Sequence, residues 1–201
     1  LEKETIGLLA GALVIISIIP YAVRTYQGKI KPNLTTWSLW TFIGLTLFLT
    51  YQSSGAKANI WPAVFGFANP FLIVFLVIRR ERKWKKPDKT EKICLTAGLI
   101  SILMWFFMKE EASLAQYALY VAILADACAS VPTIFFVWKH PEDDRPFTWT
   151  FFALGYGLSI FAISERTTAN YALPIFMFFA PIAIAWPLIR YRIGKPWREW
   201  L

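Results

Sequence analysis

The 201 residues carry 57% hydrophobic side chains, a mean hydropathy of +0.47 and a formal net charge of +8. That is too apolar for a water-soluble domain and falls in the membrane class. The two cysteines, Cys94 and Cys128, lie inside apolar stretches and exclude a disulfide framework or a CxxC site, and no groove-reading motif accompanies the basic charge, which excludes nucleic acid as its target.

About 20 apolar residues cross a bilayer as a helix, and seven such stretches follow one another: 5–26, 35–54, 58–79, 91–109, 114–138, 147–165 and 169–190. The first lacks a small-residue cleavage motif and is read as a span, not a signal peptide; it carries Pro20. The second opens on Thr36-Trp37-Ser38-Leu39-Trp40. The third sets Asn59, Pro62, Gly66 and Asn69 on one helical face, with Asn69 near its middle. A basic linker follows, with Arg79, Arg80, Arg82, Lys83, Lys85, Lys86, Lys89 and Lys92. The fourth stretch is followed by a fifth that places Asp126, Ser130 and Thr133 at i, i+4 and i+7, again one face, with Asp126 near mid-span. The sixth aligns Trp149, Tyr156 and Ser159, and the seventh carries Pro174 and no lysine, which excludes a retinal Schiff base.

Sorting the basic residues by side gives the topology. Lys3, Lys57, Lys109 and Arg166 fall on the side of the N-terminus, and the other seventeen of the 21 fall opposite. By the positive-inside rule the N-terminus lies outside and the C-terminus in the cytoplasm, so the basic charge is a topology device facing the lipid bilayer. The expected home is a prokaryotic cytoplasmic membrane.

Residues 5–80, slid by 112, meet their own kind: Pro20 lands on Pro132, Thr36-Trp37 on Thr148-Trp149, Pro62 on Pro174, Phe67-Ala68 on Phe179-Ala180 and Arg80 on Arg192. Three crossings leave the chain on the opposite face, so a second copy needs one further helix to run parallel to the first. The expected fold is an all-α membrane protein with seven transmembrane helices, two parallel three-helix repeats joined by an inversion linker helix, 3+1+3. Residues 1–80 are the first repeat, 81–112 the basic loop and linker helix, and 113–201 the second repeat and tail.

An ionisable side chain at mid-bilayer costs a few kcal/mol and is a functional candidate by default; repeat-built transporters bind substrate at that depth. The expected substrate-binding set is Asn69, Asp126, Ser130, Thr133 and Tyr156, with Asp126 taking a proton or a cationic group, and with Trp37 and Trp149 forming an inner gate or stacking on substrate. The doubled Pro20, Pro62, Pro132 and Pro174 each remove a helical hydrogen bond and are expected hinges. His140 beside Pro141-Glu142-Asp143-Asp144 offers too few ligands for a metal, no hydrolase, nucleotide or dinucleotide motif occurs, and neither enzyme activity nor a cofactor is expected. The resulting expectation is a small-solute transporter, facilitator or proton-coupled, alternating between two three-helix units; a non-transporting receptor or partner-binding protein on the same scaffold is the other reading. The scaffold also admits a homo-oligomer.

The 3+1+3 layout, together with Ile19-Pro20-Tyr21 and Val131-Pro132-Thr133 ahead of helices that open on Thr-Trp, resembles the PQ-loop/SWEET superfamily. The resemblance implies a membrane carrier of small solutes. Tyr21 and Thr133 stand where the Gln of the PQ motif would follow proline, and Pro181 stands opposite Asn69 where sugar-binding members carry a second Asn. Trp37-Ser38-Leu39-Trp40 is also similar to the tryptophan-rich helix starts of PnuC-type vitamin transporters, which share the layout.

Overall fold

The computed structural model describes residues 1–30, 32–80 and 86–201, apart from the side chain of Arg80. Part of the basic linker, Arg82, Lys83, Trp84 and Lys85, lies outside the described residues. Among the described residues eight α-helices run α1 Lys3–Ser17, α2 Ile19–Tyr26, α3 Leu34–Ser53, α4 Trp61–Arg80, α5 Lys89–Met108, α6 Ala112–Lys139, α7 Pro146–Ser159 and α8 Thr168–Arg192, with short 3-10 turns at Ala58–Ile60, Ile160–Ala162 and Trp197–Glu199. No strand occurs among the described residues.

α1 and α2 form one rod broken at Ile18, so seven rods meet the seven predicted stretches. Five are long and apolar enough to cross a membrane: Lys3–Tyr26, Ala58–Arg79, Lys89–Met108, Ala112–Lys139 and Thr168–Arg192. α3 and α7 fall short of that measure. α3 spreads Thr35, Thr36, Ser38, Thr41, Thr46 and Thr50 along its 20 residues, and α7 has only 14 residues before it tightens into a 3-10 turn.

Local signals account for the ends. Asn33 caps α3 by accepting from Thr35 N at 3.0 Å, and Asp88 and Glu91 form a reciprocal capping box on α5 at 2.8 and 2.9 Å. Thr167 caps α8, accepting from Asn170 N. Gly28, Gly55 and Gly194, with φ of 71°, 96° and 82°, each stand just past the cap of α2, α3 or α8, where a left-handed residue turns the chain away.

The side-chain distribution is that of a protein in lipid. Buried positions hold small or polar residues such as Ala10, Ala118, Ala122, Ala125, Thr46, Thr50, Asn59 and Asn170. The surface carries Phe106, Phe107, Phe135, Phe161 and Phe179, all more than 60% exposed. An outer face this apolar is compatible with an integral membrane protein, and small residues inside let helices approach closely, as packing within a bilayer favours.

The packing is ordered. α4 lies between α1 and α3, and α8 lies between α6 and α7. Across the bundle, α1 runs along α7 and α3 along α6, while α5 packs outside on α6 and α3. Glu91, besides its capping bond, accepts from Thr36 Oγ1 at 2.6 Å and ties α5 to the start of α3.

Candidate functional site

Between these two groups of helices lies a cavity of about 90 Å³, several times the space one water needs. It is lined by six of the seven substrate-binding residues expected from sequence: Trp37, Asn69, Asp126, Ser130, Trp149 and Tyr156. Thr133 does not line it. Seven residues on from Asp126, it shares the helical direction but sits about 10 Å further along the axis at 1.5 Å per residue.

Sequence reasoning passed over Trp40, Phe152, Gly44 and Ile18, which also line the cavity. A signal was present. Trp40 and Phe152 are 112 apart, as are Gly44 and Tyr156, Ile18 and Ser130, Asn69 and Pro181, and Trp37 and Trp149. Matching by identity finds only the last of these pairs.

Two buried polar atoms of the cavity wall, and its one carboxylate, are without partners. Trp40 Nε1 and Asn69 Oδ1 are the buried side-chain nitrogen and oxygen atoms, among the described residues, with no hydrogen bond. Asp126 has no hydrogen bond or ion pair among the described residues either. Buried polar atoms are nearly always satisfied, so partnerless atoms gathered on one cavity mark a place built for something else. The amide orientation of Asn69 is set by its Nδ2, which donates to Val14 O at 2.8 Å and leaves the oxygen without a partner. Ser17 Oγ donates to the same carbonyl at 2.6 Å, next to the break at Ile18. On the far wall, a Cβ on Gly66 would stand 2.5 Å from the Tyr156 hydroxyl, so the glycine makes room for that ring.

Contacts between the two helix groups flank the cavity at both ends. At the end holding the N-terminus, Tyr51 OH donates to Asn170 O at 2.9 Å, and Asn59 Nδ2 donates to Tyr51 OH and, at 3.3 Å, to Asn170 Oδ1. Asn170 Nδ2 reaches Glu165 O at 2.9 Å, and an exposed Lys57–Glu165 pair at 2.6 Å lies above. The two asparagines follow Ala58 and Ala169, an Ala-Asn repeat at an offset of 111 that a search at 112 passes over.

At the basic end the contacts are aromatic. Tyr21, Trp37, Trp40 and Trp149 form a chain with ring centroids 5.0, 5.4 and 5.8 Å apart, and the last step crosses from α3 to α7 edge to face. Trp149 Nε1 donates onward to Asp144 Oδ2 at 2.8 Å in the loop before α7. Burial raises the Asp144 carboxyl above its ordinary 3.8, against the hydrogen bonds from Trp149 and the Arg145 backbone and the nearby charges of Arg24 and Arg192.

A native carboxyl that holds its proton to higher pH than the unfolded one makes stability fall as pH rises from about 3.8 upward through that window. Asp144→Asn, which keeps an acceptor for Trp149, is expected to flatten the decline. Melting temperatures of both proteins from about pH 4 to about pH 7 check this; curves that stay parallel refute it.

The prolines occupy unlike places. Pro20 follows the break between α1 and α2, while Pro132 and Pro174 lie inside α6 and α8. Pro62 is the second residue of α4, where a first-turn N–H has no intrahelical partner to lose. His140, Glu142 and Asp143 bring ligand atoms within 4.8 Å of one another on the exposed surface of the basic end, and His140 Nδ1 is 3.5 Å from Glu142. No protein-family model, curated protein or solved structure matches the chain.

Proposed function

We propose that this protein is a small-solute membrane transporter working by alternating access between two three-helix units, residues 1–80 and 113–201, with α5 as the inversion linker. The observation that carries the reading is the cavity between the helix groups, with two buried unpartnered polar atoms, one carboxylate and a separate set of contacts across the groups at each end. One set is a hydrogen-bonded asparagine–tyrosine cluster and the other an aromatic chain. Opening either one alone would expose the cavity to one side, which is what alternating access requires.

Two features support the two-copy, PQ-loop/SWEET-like reading, with the PnuC type as its relative. The third rod lies between the other two in each group, and the first rod of each group packs on the second of the other. The wall residues pair at 112, as a two-fold arrangement would have them. Asp126 and Asn69 depart from that symmetry, since their counterparts are Val14 and Pro181; they are the part that selects the solute. The orientation is N-terminus outside, from the charge bias.

In proteoliposomes the protein is expected to move a member of a small-solute panel, with uptake at least tenfold lower in Asp126→Asn. Unchanged uptake in that variant removes Asp126 from the site. No uptake of any solute by folded protein favours a receptor on the same scaffold.

A further inference from the structure

We infer that the ligand of this cavity is a small organic cation carrying a hydrogen-bonding arm, such as a hydroxylated alkylammonium; this rests on reading the cavity as the binding site. The charge argument comes first. Asp126 is the only carboxylate among the described residues of the wall, and no lysine, arginine or histidine joins it there. An anion meets repulsion, and a neutral solute leaves the carboxylate desolvated and unmet, which is costly in an apolar space.

The remaining groups narrow the cation. Asn69 Oδ1 is a second free acceptor, on a wall side chain fixed by the bond from its Nδ2 to Val14 O. Trp40 Nε1–H is a free donor on the same wall. A bare metal cation suits this poorly: hard cations take six or more oxygens, and the indole N–H presents the wrong sign. A proton on Asp126 leaves both other groups unsatisfied. A cation whose arm ends in a hydroxyl meets all three, its ammonium at Asp126 and its hydroxyl donating to Asn69 and accepting from Trp40.

The walls fit the same chemistry. Trp40, Trp149, Phe152 and Tyr156 present aromatic faces or edges to the cavity, and aromatic rings with one carboxylate are how proteins hold alkylated ammonium groups. The room is small. About 90 Å³, several times what one water needs, suits a small cation and not a bulky one.

The test uses choline and its neutral isostere 3,3-dimethylbutan-1-ol, which differ in charge and hardly in shape. Each is titrated calorimetrically into purified full-length protein in lipid nanodiscs. Choline is expected to bind at least tenfold more tightly than the isostere. Asp126→Asn should bring choline down to the isostere's affinity, and Asp126→Glu should keep a preference. Trp40→Phe should weaken both compounds alike, because it acts on the shared hydroxyl. Equal affinities in the wild-type protein, no binding of either compound to folded protein, or a preference that survives Asp126→Asn overturns the inference. The same preparation in proteoliposomes separates this from transport. Choline bound selectively but not moved leaves the cation assignment standing and removes the transporter. Movement of neutral solutes with no preference for choline does the reverse.

Discussion

Gly155→Ala is expected to destabilise the protein by about 3 kcal/mol, at the upper end of what overpacking costs, although alanine is intrinsically the better helix former by about 1 kcal/mol. The reason is position. Gly155 sits in α7 where it meets α1, and a Cβ there would lie 2.5 Å from Val14 Cγ2, 2.7 Å from Ala10 O and 3.2 Å from Val14 N. Two of those three atoms are backbone and cannot turn aside, so the two helices must separate. Val14 O also orients Asn69, and a displaced α1 therefore disturbs the cavity wall as well. Gly98→Ala is the control: its Cβ would meet the Phe42 ring, nearest atom 2.9 Å away, and Ile43 Cγ1 at 3.8 Å, and side chains can shift. Melting of both variants in the same detergent checks the contrast. A Gly155→Ala protein as stable as Gly98→Ala refutes the close contact between α1 and α7.

Arg192→Met is expected to cost about 1–3 kcal/mol, the range for leaving buried acceptors unmet, and to loosen the basic end. Arg192 is fully buried. Its guanidinium donates to Glu199 O at 2.7 Å, Pro141 O at 2.8 Å, Glu142 O at 3.2 Å and Leu188 O at 3.4 Å. One planar group thus clamps the α6–α7 loop, the end of α8 and the C-terminal turn, and methionine of similar length leaves those carbonyls unmet. Lysine keeps the charge but not the fork and should recover only part of the loss. Thermal denaturation followed by size-exclusion is the measurement, and a Met variant melting with the wild type would refute the clamp.

Arg192 also shows what the sequence could and could not disclose. Its match with Arg80 at 112 pointed to a meaningful residue, but the carbonyls it gathers come from loops whose path no periodicity describes. The apolar stretches were legible because hydropathy is a local property, and the helices fall where composition and caps such as Asn33 and Asp88 put them. The matched tryptophans were legible because they are identical. Trp40 and Phe152 were not, since the two copies keep an aromatic wall without keeping the residue. Asn59 and Asn170 escaped because their spacing is 111, one short of the frame in which the other pairs align. Thr133 shows the limit of helical spacing, which gives the direction of a side chain and not whether a neighbouring helix leaves space in front of it. The break at Ile18 is of the same kind. Pro20 signals a disturbed helix, but the two bonds taken up by Val14 O come from Ser17 and from Asn69 in another helix.

The shortfall of α3 and α7 bears on how the chain enters a membrane. α3 falls short in apolar content and α7 in length of what the other five rods offer a bilayer. Each is followed within a few residues by a strongly apolar partner on which it packs, α4 in one case and α8 in the other. The expected consequence is insertion by hairpins, in which α3 enters lipid together with α4 and α7 together with α8, each more polar helix covered by its companion.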